Sequence, residues 1–380
     1  MMRLRVYSCI CRPGDFSKPV KGRSVSTRTP EWAGADRSLR VWRLLVLLPL
    51  LLAGCGPDRS EPVTSTRADL VWPPAPEQPR ITYLGEVSTQ EDLEERKSWL
   101  SGLGEVVFGE GKVGILVSPY AVAVDATGLM FVADSGGAAV HAFNLRTRAY
   151  HQFSRLSDEE TLQKPVGLAT FGDRVYVVDS VLHQVCVFKK NGDFLFSFGG
   201  ERFKRPSGIA CGGPDGVVCV ADTSAHTIHV FSLNGEFIRQ LGTRGLSPGQ
   251  FNFPTHLWID PTGKLYVSDT LNYRIQVFTR EGRFLKMFGQ QGDRPGNFAH
   301  PGGVATDRFG NVYVTDRQFE NVQVFNSDGQ ILMAFGQEGT EPGEFWLPGG
   351  IFVDGRNRIY VADSFNKRIQ IFALLEDARP

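Results

Sequence analysis

From residue 119 onward the chain alternates short apolar runs with turns, and the pattern returns six times. Each copy opens at a proline: Pro119, Pro165, Pro206, Pro254, Pro301 and Pro348. A first apolar run and a turn lead to a second run that ends in aspartate: FVADS, YVVDS, CVADT, YVSDT, YVTDR and YVADS. The aspartates are Asp134, Asp179, Asp222, Asp269, Asp316 and Asp363, spaced by 45, 43, 47, 47 and 47 residues. A third run follows, as in RIQVF up to Phe278 or NVQVF up to Phe325. Asn234-Gly235 or Asp328-Gly329 then leads into a fourth run. Short β-branched and aromatic runs between Gly and Asn/Asp turns read as strands, and Asn-Gly and Asp-Gly supply the φ > 0 that tight hairpins need. Each copy is predicted to be a four-stranded antiparallel meander.

One meander cannot bury both of its faces, so the copies must stack on one another. Four strands in each of six copies is the arithmetic of a six-bladed β-propeller, an all-β fold. The sixth copy stops at Phe372 without a fourth strand. Arg80 to Val87, RITYLGEV, is predicted to supply it, pairing beside Arg368–Phe372 and closing the ring. The domain then divides into 80–118, a closing strand with a short helical or loop segment, and the propeller proper, 119–380. Over residues 119–372 the pattern resembles the NHL repeat family, most closely from Pro254 to Gly289 and from Pro348 to Phe372. Only Arg274 and Arg368 keep the basic residue of that family's R-I-Q-V-F run.

Ahead of the repeats, Leu44 to Leu52 form a nine-residue apolar run after Arg40 and Arg43. At about 1.5 Å per residue it is too short to cross a bilayer core of about 30 Å, and it reads as a secretory signal over residues 1–54. Leu52-Ala53-Gly54-Cys55 resembles the bacterial lipobox, which implies acylation of Cys55 and a membrane anchor. Gly56 follows, with no Asp to retain the protein at an inner membrane, so the outer membrane is the expected site in a cell with two. The 43 residues before the apolar run are long for a charged leader, as a true start near residues 39–41 would explain. Residues 55–79 are rich in Pro, Ser and Thr and are predicted to be an extended tether.

Basic and acidic residues number 41 each, but residues 1–54 hold 10 of the former and 3 of the latter. The exported part therefore carries 31 against 38, a net charge of −7, which argues against nucleic acid as a partner. Six cysteines are too few for a disulfide scaffold. Cys211 and Cys219 fall opposite one another on a first and a second strand, where an oxidising compartment permits a bond.

Chemistry is sparse. The repeated aspartates read as turn residues that accept backbone N–H bonds, not as catalytic or metal-binding groups. The second residue after each proline is small, Ala121, Gly167, Gly208, Gly303 and Gly350, except at His256. Immediately before the prolines stand Lys164, Arg205 and His300. With His256 these are predicted to line one channel mouth and attract an anion. Some NHL-like enzymes hold zinc with three channel histidines, but only His256 and His300 are placed inward here, and zinc catalysis needs three protein ligands. His141, His183, His226 and His229 lie on third strands or in the loops before them. No nucleophile elbow, phosphate loop or zinc-helix motif is present, and no metal or cofactor is expected. The pattern favours a binding or assembly scaffold for an envelope protein or glycan. A lyase or hydrolase working in the channel is the alternative.

Overall fold

The structure, a computed structural model, describes residues 70–93, 114–213 and 216–375. The expected signal segment, Cys55, the expected tether up to residue 69 and residues 94–113 lie outside the described residues. Six antiparallel sheets form a six-bladed propeller, five of four strands and one of five. The inner strands begin at the repeat prolines and the second strands end at the repeat aspartates, as in Pro301–Thr306 and Val312–Asp316 of blade 5. Asn321–Phe325 and Ile331–Phe335 complete that blade, joined by a hairpin in which Gly329 takes φ 84°. Prolines and aspartates therefore share one end of the ring, called the proline face below. Hairpins such as Asp328-Gly329 mark the opposite face.

Alternation along the strands sends neighbouring side chains into two different blade interfaces. Six apolar cores result, one between each pair of adjacent blades. Between blades 3 and 4, for example, Val230, Val267 and Phe278 pack together. The same alternation settles the cysteines. Cys211 pairs with Val218, and Cys219 pairs with Ala210, one residue away from the expected register. Cys211 therefore packs toward blade 2 and Cys219 toward blade 4, and both are free thiols. A period of two makes a one-residue slip a change of face.

Ring closure follows the expectation. Ile81–Val87 pairs with Arg368–Leu374, with Tyr83 opposite Phe372 and Val87 opposite Ile369. One element differs from the expectation of a free tether. Val71–Trp72 adds a fifth strand beside Ile81–Val87, and the Trp72 ring lies 5.7 Å from Phe372 and 5.9 Å from Phe335. A large indole gains more by covering this apolar edge than a Pro-rich segment gains by staying extended. The segment expected to hold a helix opens with a single 3-10 turn, Gln90–Leu93, and Leu93 is buried against the interface of blades 6 and 1.

The blades are tied at the proline face by the repeat aspartates, all fully buried. In blades 1, 2, 3 and 5 the carboxylate accepts N–H groups from the two residues before the blade's own proline. Asp316, for example, accepts from Ala299 and His300, and also from Gln318 and Phe319. Blades 4 and 6 differ. Asp363 accepts one such N–H, from Trp346, and otherwise binds Asn366, Arg368 and Gln370. Arg368 in turn donates to the carbonyls of Glu341 and Glu344 in the crossover loop, and to Glu86 of the closing strand. Arg274 does the same work in blade 4.

Candidate functional site

Each inner strand pairs on one side only, so six strand edges line the axis. Register breaks just after each proline, a bulge that re-aims the next side chains. Backbones crowd at this level. A Cβ on Gly208 would collide with the Thr255 carbonyl oxygen, which explains the run of small residues. At this level only His256 carries a large side chain. The imidazole stacks on Tyr120 of blade 1 with centroids 5.7 Å apart, and Nδ1 lies 3.0 Å from Thr255 Oγ1. The Arg317 guanidinium covers Tyr120 at 5.4 Å from the ring centroid. Arg317, Tyr120 and His256 together plug the proline end of the channel.

Below the plug lies a cavity of about 160 Å³, lined by the glycine ring and by apolar residues of the inner strands. Trp258 and Phe352 also line it, their rings 5.4 Å apart, and the Trp258 indole N–H donates to Thr306. His256 Nε2 is buried without a partner. Burial, with Arg317 and His300 adding to it, pushes the His256 pKa down to about 3, so the ring is neutral at ordinary pH.

A second pocket, about 630 Å³ and open to solvent, lies beside the plug on the proline face. It is lined by His300, Arg317, Gln318, Glu320, Glu338 and Leu347. Glu320 is 8% exposed and sits at φ 52°. Its Oε1 accepts the Leu347 N–H, a donor that Asp363 leaves free while occupied with Arg368. His226 does the equivalent in blade 3, where Nδ1 accepts the Phe253 N–H. Glu320 Oε2 and His300 Nδ1 are both buried without a partner. Burial raises the Glu320 pKa, and burial followed by the Arg317 charge lowers that of His300.

The four residues expected at one mouth are not brought together. His256 plugs the channel and His300 lines the side pocket, whereas Lys164 and Arg205 are exposed and line neither. Their backbone N–H groups are held by Asp179 and Asp222, and their long stems leave the charged heads in water. Among the described residues no three His, Cys, Asp or Glu side chains are grouped to hold a metal ion.

Arg317, Tyr120 and Glu320 were not picked out by sequence reasoning, yet one signal was in view. The residue after the repeat aspartate reads Ser135, Ser180, Thr223, Thr270, Arg317 and Ser364. The hydroxyl in blades 3, 4 and 6 donates to the proline carbonyl of the next blade, at 2.8, 3.0 and 2.7 Å. Arg317 replaces that interblade bond with a cation.

Residues 203–231 match the NHL repeat, and residues 304–376 match a family described as a 6-bladed beta-propeller. No curated protein matches the chain significantly. Among solved structures, a protein of unknown function from Bacteroides thetaiotaomicron is 18% identical with a TM-score of 0.56, over 68% of this chain and 70% of that one. An auxiliary nutrient binding protein from Bacteroides ovatus is 14% identical with a TM-score of 0.54, over 70% and 71%. Virginiamycin B lyase from Staphylococcus aureus is 16% identical with a TM-score of 0.51, over 68% and 96%. At these identities the likeness shows the fold alone.

Proposed function

We propose that this six-bladed propeller with NHL-type repeats is an exported lipoprotein, anchored through acylated Cys55, that binds an envelope protein or glycan on its proline face. One observation carries the reading: the departures from the repeat gather on that face. His256, His300, Arg317 and Glu320 come from adjacent blades 4 and 5 and surround the plug and its side pocket. Elsewhere on the same face, apolar side chains stand in water at loop positions. Trp346 is 46% and Phe365 53% exposed, with rings 5.4 Å apart, and Val117, Val181 and Leu271 are exposed as well. Exposed aromatic groups rimmed by polar residues mark interaction surfaces. Among the described residues no helix is long and apolar enough to cross a membrane; the reading places attachment on Cys55 because of the lipobox-like Leu52-Ala53-Gly54-Cys55. Two acyl chains give stable attachment where one is marginal. The likeness to an auxiliary nutrient binding protein accords with a binding role.

The test is fractionation of intact cells followed by capture. Cys55→Ser moves the protein into the soluble envelope fraction, and wild type recovers a partner after crosslinking that a Trp346→Ser/Phe365→Ser variant does not. Unchanged membrane attachment of Cys55→Ser overturns the anchor. Equal capture by the aromatic variant overturns the binding face.

A further inference from the structure

Three features of the side pocket stand apart from partner docking. A cation, Arg317, and two carboxylates, Glu320 and Glu338, line one pocket, yet among the described residues no ion pair joins them. Two polar atoms of residues that line it, Glu320 Oε2 and His300 Nδ1, are themselves buried with no partner. The structural work at these positions is also complete without the charges. The cap on the Leu347 N–H needs only a side-chain oxygen, which an amide supplies, and the other blades do without an arginine after the aspartate. Opposite charges that share a pocket and do not neutralise each other suit a ligand that carries both.

We propose that this pocket binds a small zwitterion of the amino-acid type with an apolar side chain, its carboxylate on Arg317 and its ammonium on Glu320 and Glu338. A guanidinium offers a planar pair of donors matched to a carboxylate, and stacking on Tyr120 holds its plane. Glu338, exposed at the pocket, accepts from the ammonium, the buried Glu320 carboxylate adds its charge from behind, and His300, its pKa lowered by burial and by Arg317, offers a hydrogen bond without adding charge. Leu347 gives the apolar wall for the side chain. A volume of about 630 Å³ holds such a molecule with room for water. This goes beyond the binding of a macromolecular partner and does not depend on it.

The probes are L-leucine, leucinamide, which lacks the carboxylate, and N-acetyl-L-leucine, which lacks the ammonium. Calorimetric titration of the purified Cys55→Ser chain at low ionic strength is expected to show saturable binding of leucine. Both blocked forms should bind at least about tenfold more weakly, the loss of one charge-assisted contact. Arg317→Thr restores the hydroxyl found in blades 3 and 4 and is expected to melt no lower than wild type while losing leucine binding. Glu320→Gln keeps the Leu347 cap and is expected to weaken leucine while leaving N-acetyl-leucine unchanged. No leucine binding with ligand at about 20 mM, well above a Kd of about 1 mM, equal binding of the blocked forms, or full binding by Arg317→Thr each overturns the proposal. None of these results bears on capture of an envelope partner, which the Trp346 and Phe365 variant tests separately.

Discussion

His256 offers a quantitative check on the plugged channel. The ring is 8% exposed, under Tyr120 and Arg317, and its pKa is pushed down to about 3 from an ordinary 6.5. A histidine lowered in this way stabilises the fold fully above pH 6.5. Below that the unfolded chain takes up a proton that the folded chain refuses, so stability falls until about pH 3. At pH 5 the unfolded state is 1.5 units below its pKa, which at about 1.4 kcal/mol per unit costs about 2 kcal/mol. In a domain of about 300 residues that is about 3 °C in melting temperature. The perturbation is His256→Gln, and the assay is urea unfolding of both proteins at pH 7.5 and pH 5. Burial also lowers the pKa values of His226, His229 and His300, but these titrate in both proteins and cancel in the difference. Wild type should lose about 2 kcal/mol more than the variant on acidification. An equal loss would refute the sealed position of His256, because only an imidazole shielded from water resists its proton to this extent.

Four further outcomes follow from the packing. Deleting residues 55–88 removes the buried Ile81, Tyr83 and Val87, about 1.5–3 kcal/mol each as an upper range, a sum comparable with the whole stability of a domain; circular dichroism should show a broad, early melt. Arg368→Met leaves Asp363 buried without its cation and should cost about 3–5 kcal/mol in urea unfolding. Glu86→Gln should cost less than about 1 kcal/mol, since that carboxylate is 35% exposed. Cys186 and Cys219 are buried thiols raised to about 12, so in a Cys55→Ser mature chain these two should label with a thiol reagent only after unfolding, without reductant.

Much of this architecture was legible because repetition makes weak signals add. Four runs and a turn pair, read six times, leave little choice but a ring of meanders, and the missing fourth strand pointed to Arg80–Val87. Register was less legible: the bulge after each proline shifts the ladder, so a count from Pro206 misplaced Cys211 against Cys219 by one residue. Trp72 was hidden by its prolines, which suggest an extended chain even where an indole docks. At the site, position alone gave His256 and His300, but it could not show that Lys164 and Arg205 point to water. Arg317 was visible as an exception among hydroxyl residues. Its meaning required the hydrogen bond from Thr223 or Thr270 to the next proline carbonyl, which only three dimensions display. Glu320 gave no local signal, since its role comes from Arg368 occupying the carboxylate of the following blade.

The most direct test of a binding proline face is photocrosslinking in intact cells from single positions on opposite ends of the ring. A benzophenone amino acid is placed at Gln318 or Phe365 on the proline face, and at Arg308 or Asp328 on the opposite one, in the chain that keeps Cys55. Crosslinks to a discrete envelope partner from Gln318 and Phe365, and none from Arg308 and Asp328, are predicted. Partners captured from Arg308 and Asp328 alone would contradict the assignment of the binding face.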